Sequence, residues 1–306
     1  MSDAMAVFDR RAVRAHRERA AAGLGDHDFL FRESARRLAD RLDDVTRKFP
    51  RALDLGCHGG ELAAALGPRG GIETLVQCDL APAMARRAAA AAGAGRFALA
   101  ADEEFLPFAP GSFDLVLSNL GLHWVNDLPG CLLQVRRALK PDGLFVAALL
   151  GGQTLHELRA ALIEAELAVS GGAGPRVSPF ADVAELGGLL QRAGFALPVA
   201  DSDTLTVTYG DAFGLMRDLR GMGEGNALGA RRRQFTRRAI LHDAAARYRD
   251  RCGGGRLPVT FQIVTLTAWA PHESQQKALR PGSAKTRLAE ALGTVELPAG
   301  DKARPK

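Results

Sequence analysis

The chain has 306 residues, 47% of them hydrophobic and 25% charged, with a formal net charge of +5. That profile suits a globular protein with one α/β domain plus additions, two domains at most. The longest apolar run, LFVAALL (144–150), is far too short to cross a bilayer, and residues 277–306 hold seven Lys/Arg against three Asp/Glu, which leaves a nearly neutral body without a nucleic-acid footprint.

In chain order, residues 1–47 read as a helical segment. Its opening is Arg-rich (Arg10, Arg11, Arg14, Arg17, Arg19), as transit peptides are, but Asp3, Asp9 and Glu18 argue against a removable leader. FLFRESARRLADRL (29–42) sets Phe29, Leu38 and Leu42 among charges with no Gly or Pro, as an amphipathic helix does. After Pro50, strands and helices alternate: strand 51–55 and helix 60–66, strand 74–79 and helix 82–92, strand 96–101 and the loop DEEFLPFAPGS, strand 113–118 and helix 127–139, then strand 144–150 after a PDG turn (141–143). Such alternation predicts a parallel sheet with right-handed crossovers over residues 48–152.

Beyond Gly151-Gly152 the pattern changes. Helices are expected at 153–169 and 181–193, joined through SGGAGP (170–175), with Gly194 as a C-cap. TLTVTY (204–209) and FQIVTLTAWA (261–270) are rich in β-branched residues and are expected to form an antiparallel edge pair. Residues 211–250 between them read as a helical insertion broken at GMGEGN (221–226), placed to act as a lid in a substrate region spanning 153–273. Residues 274–306 form a basic tail of low apolar periodicity, expected to be poorly ordered. Four scattered cysteines (Cys57, Cys78, Cys131, Cys252) suggest reduced thiols rather than a disulfide frame or zinc site, and a cytoplasmic setting.

RALDLGCHGG (51–60) carries the most chemistry. A strand ends on Asp54, the turn glycines Gly56, Gly59 and Gly60 let backbone approach a ligand, and a helix opens at about Glu61. The next strand delivers Asp79, 19 residues past Gly60, near the spacing expected of a carboxylate that accepts ribose hydroxyls. Asp54, Asp79, Asp102 and Asn119 each close a successive strand, so they should converge on one crevice. Single strand-end Asp and Asn residues are ordinarily turn and cap residues, so it is the set that carries weight. The chemistry assigns the helix N-terminus to an amino-acid carboxylate, Asp54 to an ammonium, Asp79 with Leu80 to the ribose, and Asp102 with Glu103 or Phe105 to the adenine; Leu120 and Leu122 offer an apolar wall. The cofactor that fits is S-adenosylmethionine. A dinucleotide fits less well, because the glycines run G-x-x-G-G and not G-x-G-x-x-G, and no G-x-x-x-x-G-K-[ST] is present.

At these residues the chain resembles class I S-adenosylmethionine-dependent methyltransferases, with Asp54, Gly56 and Gly60 in register with their first motif and His58 where its middle glycine stands. ADEEFLPF (101–108), LHWVNDLP (122–129), LKPDG (139–143), GGQTLHELR (151–159), SPF (178–180), LRGMGEGN (219–226) and HESQ (272–275) are similar to the complex I assembly factor 5 family over residues 6–284. The resemblance implies a Rossmann-like, seven-stranded α/β methyltransferase sheet. It also implies modification, reported as hydroxylation, of an arginine on an iron–sulfur subunit of complex I, with a matrix location in a eukaryote. Methyltransferases of acyl-carrier-bound biotin precursors are more distant relatives.

Methyl transfer needs mainly positioning, plus a base if the nucleophile is protonated. His123 is the candidate base; packing beside Trp124 is the alternative role. Glu103, Glu104, Asp127 and Glu224 are acidic residues able to grip a guanidinium, Glu103 and Glu224 foremost. The seven histidines show no helical metal spacing, so no metal site is assigned, and the oxidant a hydroxylation needs is not visible in the sequence. Three readings stay open: an enzyme modifying a protein arginine, a methyltransferase of a small or acyl-carrier-bound substrate, and a binding module that keeps the pocket for stability. Contact of the basic tail with a membrane surface is also left open.

Overall fold

In a computed structural model, the structure describes residues 6–276, 282–283, 285–295 and 300. It divides into a compact unit ending at Pro271 and a second unit beginning at His272. In the second, the described residues include one short helix, Leu288–Ala291; the expected disorder of the tail falls in part outside the described residues.

The first unit is built on a seven-stranded sheet. Its strands are β1 (Arg51–Leu55), β2 (Thr74–Asp79), β3 (Arg96–Ala100), β4 (Phe113–Asn119), β5 (Leu139–Leu150), β6 (Ala196–Tyr209) and β7 (Leu257–Trp269), in the order β3-β2-β1-β4-β5-β7-β6. The first five are parallel, with Leu53 of β1 level with Val76 on one side and Val116 on the other. β7 runs antiparallel between β5 and β6. β1 and β4 are covered on both faces, which is why they read as nearly continuous apolar runs.

Among the described residues, nine α-helices of this unit accompany the sheet: α1 (Arg10–Ala20), α2 (Phe29–Asp40), α3 (Glu61–Leu66), α4 (Pro82–Ala90), α5 (Leu128–Ala138), α6 (His156–Ser170), α7 (Val183–Arg192), α8 (Ala212–Met222) and α9 (Arg238–Arg251). Their starts follow local chemistry. Asp127, Asp182 and Asp211 accept from backbone N–H groups three residues on, and Asp182 with Glu185 forms a reciprocal capping box. Among the described residues no helix is long and apolar enough to cross a membrane, and all four cysteines are free.

The expected elements are present with altered limits. α2 ends at Asp40, so helix does not continue to residue 47. The PDG turn lies inside β5, where Asp142 has a left-handed φ of 60° and the register to β4 shifts. β6 begins at Ala196, eight residues before the expected Thr204, and β7 begins at Leu257. The break between α8 and α9 runs over 223–237, well beyond GMGEGN.

α2 fixes the glycine turn from below. Phe31 is buried, and its ring stacks on His58 with centroids 4.2 Å apart. Its carbonyl accepts from Asn119 Nδ2 at 2.9 Å, which ties α2 to the end of β4. F31A should therefore cost about 3–5 kcal/mol in urea unfolding; a loss below about 1 kcal/mol would show that the turn does not depend on this helix.

Candidate cofactor and substrate site

The turn after β1 keeps a left-handed backbone at alternate residues: φ is 74° at Gly56, 47° at His58 and 92° at Gly60. A Cβ at Gly56 would lie 3.3 Å from Gly121 Cα and 3.4 Å from Glu103 Oε1, so glycine is required by close approach of the β4 loop. His58 adopts the glycine-like conformation at some strain. Its ring is turned against Phe31, with Nε2 3.2 Å from the carbonyl oxygen of Leu120, itself at φ 51°. The side chain expected to stand where backbone approaches a ligand is thus buried under the turn, and burial beside Arg17 lowers its pKa.

Asp54, Asp79 and Asp102 lie at or just beyond the carboxyl ends of β1, β2 and β3. Asp54 is fully buried, and neither carboxylate oxygen has a hydrogen-bond partner. Burial, with the charges of Glu61 and Asp79, raises its pKa well above the usual range. Asp79 accepts from Ala81 N–H at 2.8 Å through Oδ1 and from His58 N–H at 3.1 Å through Oδ2. Leu80 packs with Phe8, Val13 and Trp124 beneath α1. The N–H of Gly59 is taken by Glu61 Oε2 at 3.0 Å, so a side chain of this chain fills the anion position expected at the start of α3.

Two arginines of α1 complete the cluster. Arg17 is fully buried; its Nη1 donates to Glu103 Oε1 at 2.8 Å and to Asp79 Oδ2 at 3.2 Å. Arg10 Nη2 donates to Asp102 Oδ1 at 2.5 Å and to Glu103 Oε2, and Nη1 donates to the Trp124 carbonyl at 3.3 Å. Burial alone would raise the Glu103 carboxyl, but the two guanidiniums outweigh it and hold it down to about 2. Glu103 therefore grips this chain's own arginines. Glu104 accepts from Asn126 N–H and Asp127 caps α5, so both have structural work. Phe105 is 73% exposed and does not share the burial of the cluster.

Glu224 is the remaining acidic candidate. Its side chain is 6% exposed, and Oε2 meets His123 Nε2 at 3.0 Å and accepts from Trp124 Nε1 at 2.9 Å, while Oε1 has no partner. Burial opposes its ionisation, but the neighbouring His123 prevails and lowers its pKa. Glu224 and Trp124 line a cavity of about 220 Å³ whose walls include Leu150, Leu158, Leu162, Met216 and Leu219. Arg176, bonded to Glu166 and Thr236, exposed Arg220, Ser178 and Asn226 also line it. α8 and α9, with the segment between them, thus supply part of the cavity wall, the place foreseen for a lid.

The structure therefore brings Asp54, Gly56, His58, Gly60, Asp79, Asp102 and Glu103 to one edge of the sheet and joins them to His123 and Glu224 through Trp124. Asn119 sits at the same edge; its Nδ2 is spent on Phe31, while its Oδ1 is buried without a partner. Arg10, Arg17 and Phe31 were not foreseen. The available signal was an arginine in the stripe Val13, Arg17, Ala20, which α1 buries. Among the described residues no group of three or more His, Cys, Asp or Glu is arranged to hold a metal ion.

Residues 53–147 match the methyltransferase domain family. The mitochondrial arginine-hydroxylase NDUFAF5 of Danio rerio is 42% identical over 290 residues, covering 94% of this chain and 89% of that protein. The chain belongs to the NDUFAF5 family. Within reach of the same frame, the malonyl-[acyl-carrier protein] O-methyltransferase of Methylovorus sp. (strain MP688) is 37% identical, covering 87% of this chain and 90% of that protein. The phosphoethanolamine N-methyltransferase 2 of Haemonchus contortus, solved with S-adenosylhomocysteine, matches with a TM-score of 0.54 at 14% identity, over 85% of this chain and 60% of that one. It shares the fold, so the α/β methyltransferase sheet expected from the NDUFAF5-like motifs is the one observed.

Glu61 makes the site pH-sensitive. Burial pushes its carboxyl from an ordinary 4.5 up to about 7. The native protein then binds more protons than the unfolded chain between those values, so this group's contribution falls as pH rises through the window, by at most about 3 kcal/mol. Wild type should lose Tm relative to E61Q between about pH 4.5 and about pH 7.5; parallel Tm curves would remove Glu61 as the cause.

Proposed function

We propose that the chain is an S-adenosylmethionine-binding enzyme that modifies an arginine side chain of a protein, a complex I iron–sulfur subunit during assembly. The observation that carries the reading is Glu224: a buried carboxylate, kept ionised, with one oxygen unpartnered, on the wall of an otherwise largely apolar cavity. An arginine side chain has that shape of chemistry, an aliphatic stem for the Leu and Met walls and a guanidinium for the carboxylate. The activity for which the NDUFAF5 relatives are named, arginine hydroxylation, agrees with it.

The cofactor assignment fits the residues present. Asp54 offers two buried oxygens that lack donors, and Asp79 and Glu103 are carboxylates already matched to a donor-rich cation. Asp54 would face the ammonium, Asp79 the ribose hydroxyls, and Asp102 with Glu103 the adenine, while the Gly56–Gly60 turn gives backbone access. S-adenosylmethionine supplies an activated sulfonium methyl when bound. His123, held by Glu224, is placed to hold or take a proton near the cavity, and Trp124 lines the cavity while its carbonyl accepts from Arg10 of the carboxylate cluster. Glu224 orients the substrate guanidinium and keeps His123 in place.

A second reading, O-methylation of an acyl-carrier-bound carboxylate, is favoured by Arg220, which lines the same cavity and has no carboxylate partner among the described residues. Mass spectrometry of the complex I subunit separates the two. In cells lacking this protein the target arginine should lose its modification; an arginine modified as in the parent strain would reject the first reading. E224Q should weaken binding of an arginine-bearing substrate peptide by about 10- to 100-fold, and an unchanged affinity would remove Glu224 from the substrate site. D54N, by relieving an unpartnered buried carboxylate, should raise Tm of the free protein and weaken S-adenosylhomocysteine binding in calorimetry; tighter binding would contradict the ammonium assignment.

A further inference from the structure

We propose that the Arg17 guanidinium is an internal occupant of the nucleoside site and must leave Asp79 and Glu103 before S-adenosylmethionine binds. The inference rests on the cofactor assignment above.

α1 presents Val13, Arg17 and Ala20 inward, so a cation sits in the middle of its buried face. The Arg17 side chain is 1% exposed, and both carboxylates it holds are 0% exposed. With Arg17 in place, Asp79 already accepts three hydrogen bonds: Oδ1 takes the Ala81 N–H, and Oδ2 takes His58 N–H and Arg17 Nη1 together. A ribose diol needs those oxygens and the space beside them. Arg17 Nη1 and a ribose hydroxyl are both donors to the same carboxylate oxygen, so they compete for one position.

The occupancy is imperfect in a way that suits exchange. Arg17 Nε is buried with no partner, and Nη2 reaches the Gly121 carbonyl only at 3.5 Å. Arg10, seven residues earlier on the same face of α1, holds Asp102 and Glu103 independently. Glu103 therefore keeps a cation when Arg17 departs, and Asp79 receives the ribose donors in return. No buried carboxylate is stranded at the end of the exchange. The helix need not unfold. α1 is tied at one end by the paired bonds of Phe8 with Asn126 and at the other by Arg87 Nη1 to the Ala21 carbonyl at 3.2 Å. The movement is that of one long side chain out of the cluster.

Calorimetric titration with S-adenosylhomocysteine tests this on wild type and R17Q. R17Q should bind about tenfold more tightly or better, because the free protein no longer spends most of its time in the occupied form. Equal or weaker binding overturns the proposal, weaker binding making Arg17 a cofactor ligand instead. Should R17Q fail to fold, wild type decides alone. Phenylglyoxal labelling of Arg17, read by mass spectrometry, should be slow in the free protein and faster at saturating S-adenosylhomocysteine, and labelling that is equal or slower overturns the proposal. If neither protein binds S-adenosylhomocysteine, the cofactor assignment itself has failed, an outcome distinct from bound ligand with Arg17 unmoved.

Discussion

Buried negative charge at the carboxyl edge of the sheet governs the structure of this protein. Asp54, Asp79 and Glu103 are all fully shielded from solvent. Carboxylates in such a setting are costly unless cations or donors meet them. Two of the three are met by α1, which explains why an N-terminal helix rich in arginine lies across the sheet edge instead of in solvent. The third, Asp54, is not met at all, and its raised pKa records the cost. A protein retaining that cost keeps a place for a ligand that brings a positive charge.

Much of the frame was legible in the sequence. The alternation of short apolar runs with helical stretches exposes the parallel strands directly, because strands covered on both faces must be apolar throughout. β6 was half visible. Its first part, ALPVADSD, contains proline and two aspartates, residues that strand patterns exclude; at the sheet edge a missing N–H and outward charges are tolerated. Arg17 was not visible for a different reason. Its partners lie 62 and 86 residues away, and the one local sign that sets it apart from the solvated Arg11 and Arg14 is its place in the stripe with Val13 and Ala20. An arginine's burial is decided by long-range carboxylates, which spacing on one helix cannot report.

The same limit applies to the acidic candidates. Glu103, Glu104, Asp127 and Glu224 look alike as residues able to hold a guanidinium. The structure separates them by what each already does: Glu103 holds Arg10 and Arg17, Glu104 accepts from Asn126, and Asp127 caps α5. Glu224 alone of the four lines the apolar cavity, and it arrives there from the non-helical stretch between α8 and α9. The break read at GMGEGN (221–226) contains it, so its place outside the helices was legible in the sequence.

Relatives named for arginine hydroxylation and for O-methylation of a carboxylate align with nearly the whole chain. The sheet and the glycine turn therefore cannot decide between chemistries, because they belong to both groups; the choice must be made by side chains at the cavity. Here that cavity carries both signs of charge, Glu224 and Arg220. They differ in cost. Arg220 is exposed and loses little when it faces water, whereas Glu224 is buried with an oxygen unsatisfied. Selection against an unsatisfied buried carboxylate is strong unless the group is used, so Glu224 is the better indicator of what the cavity receives.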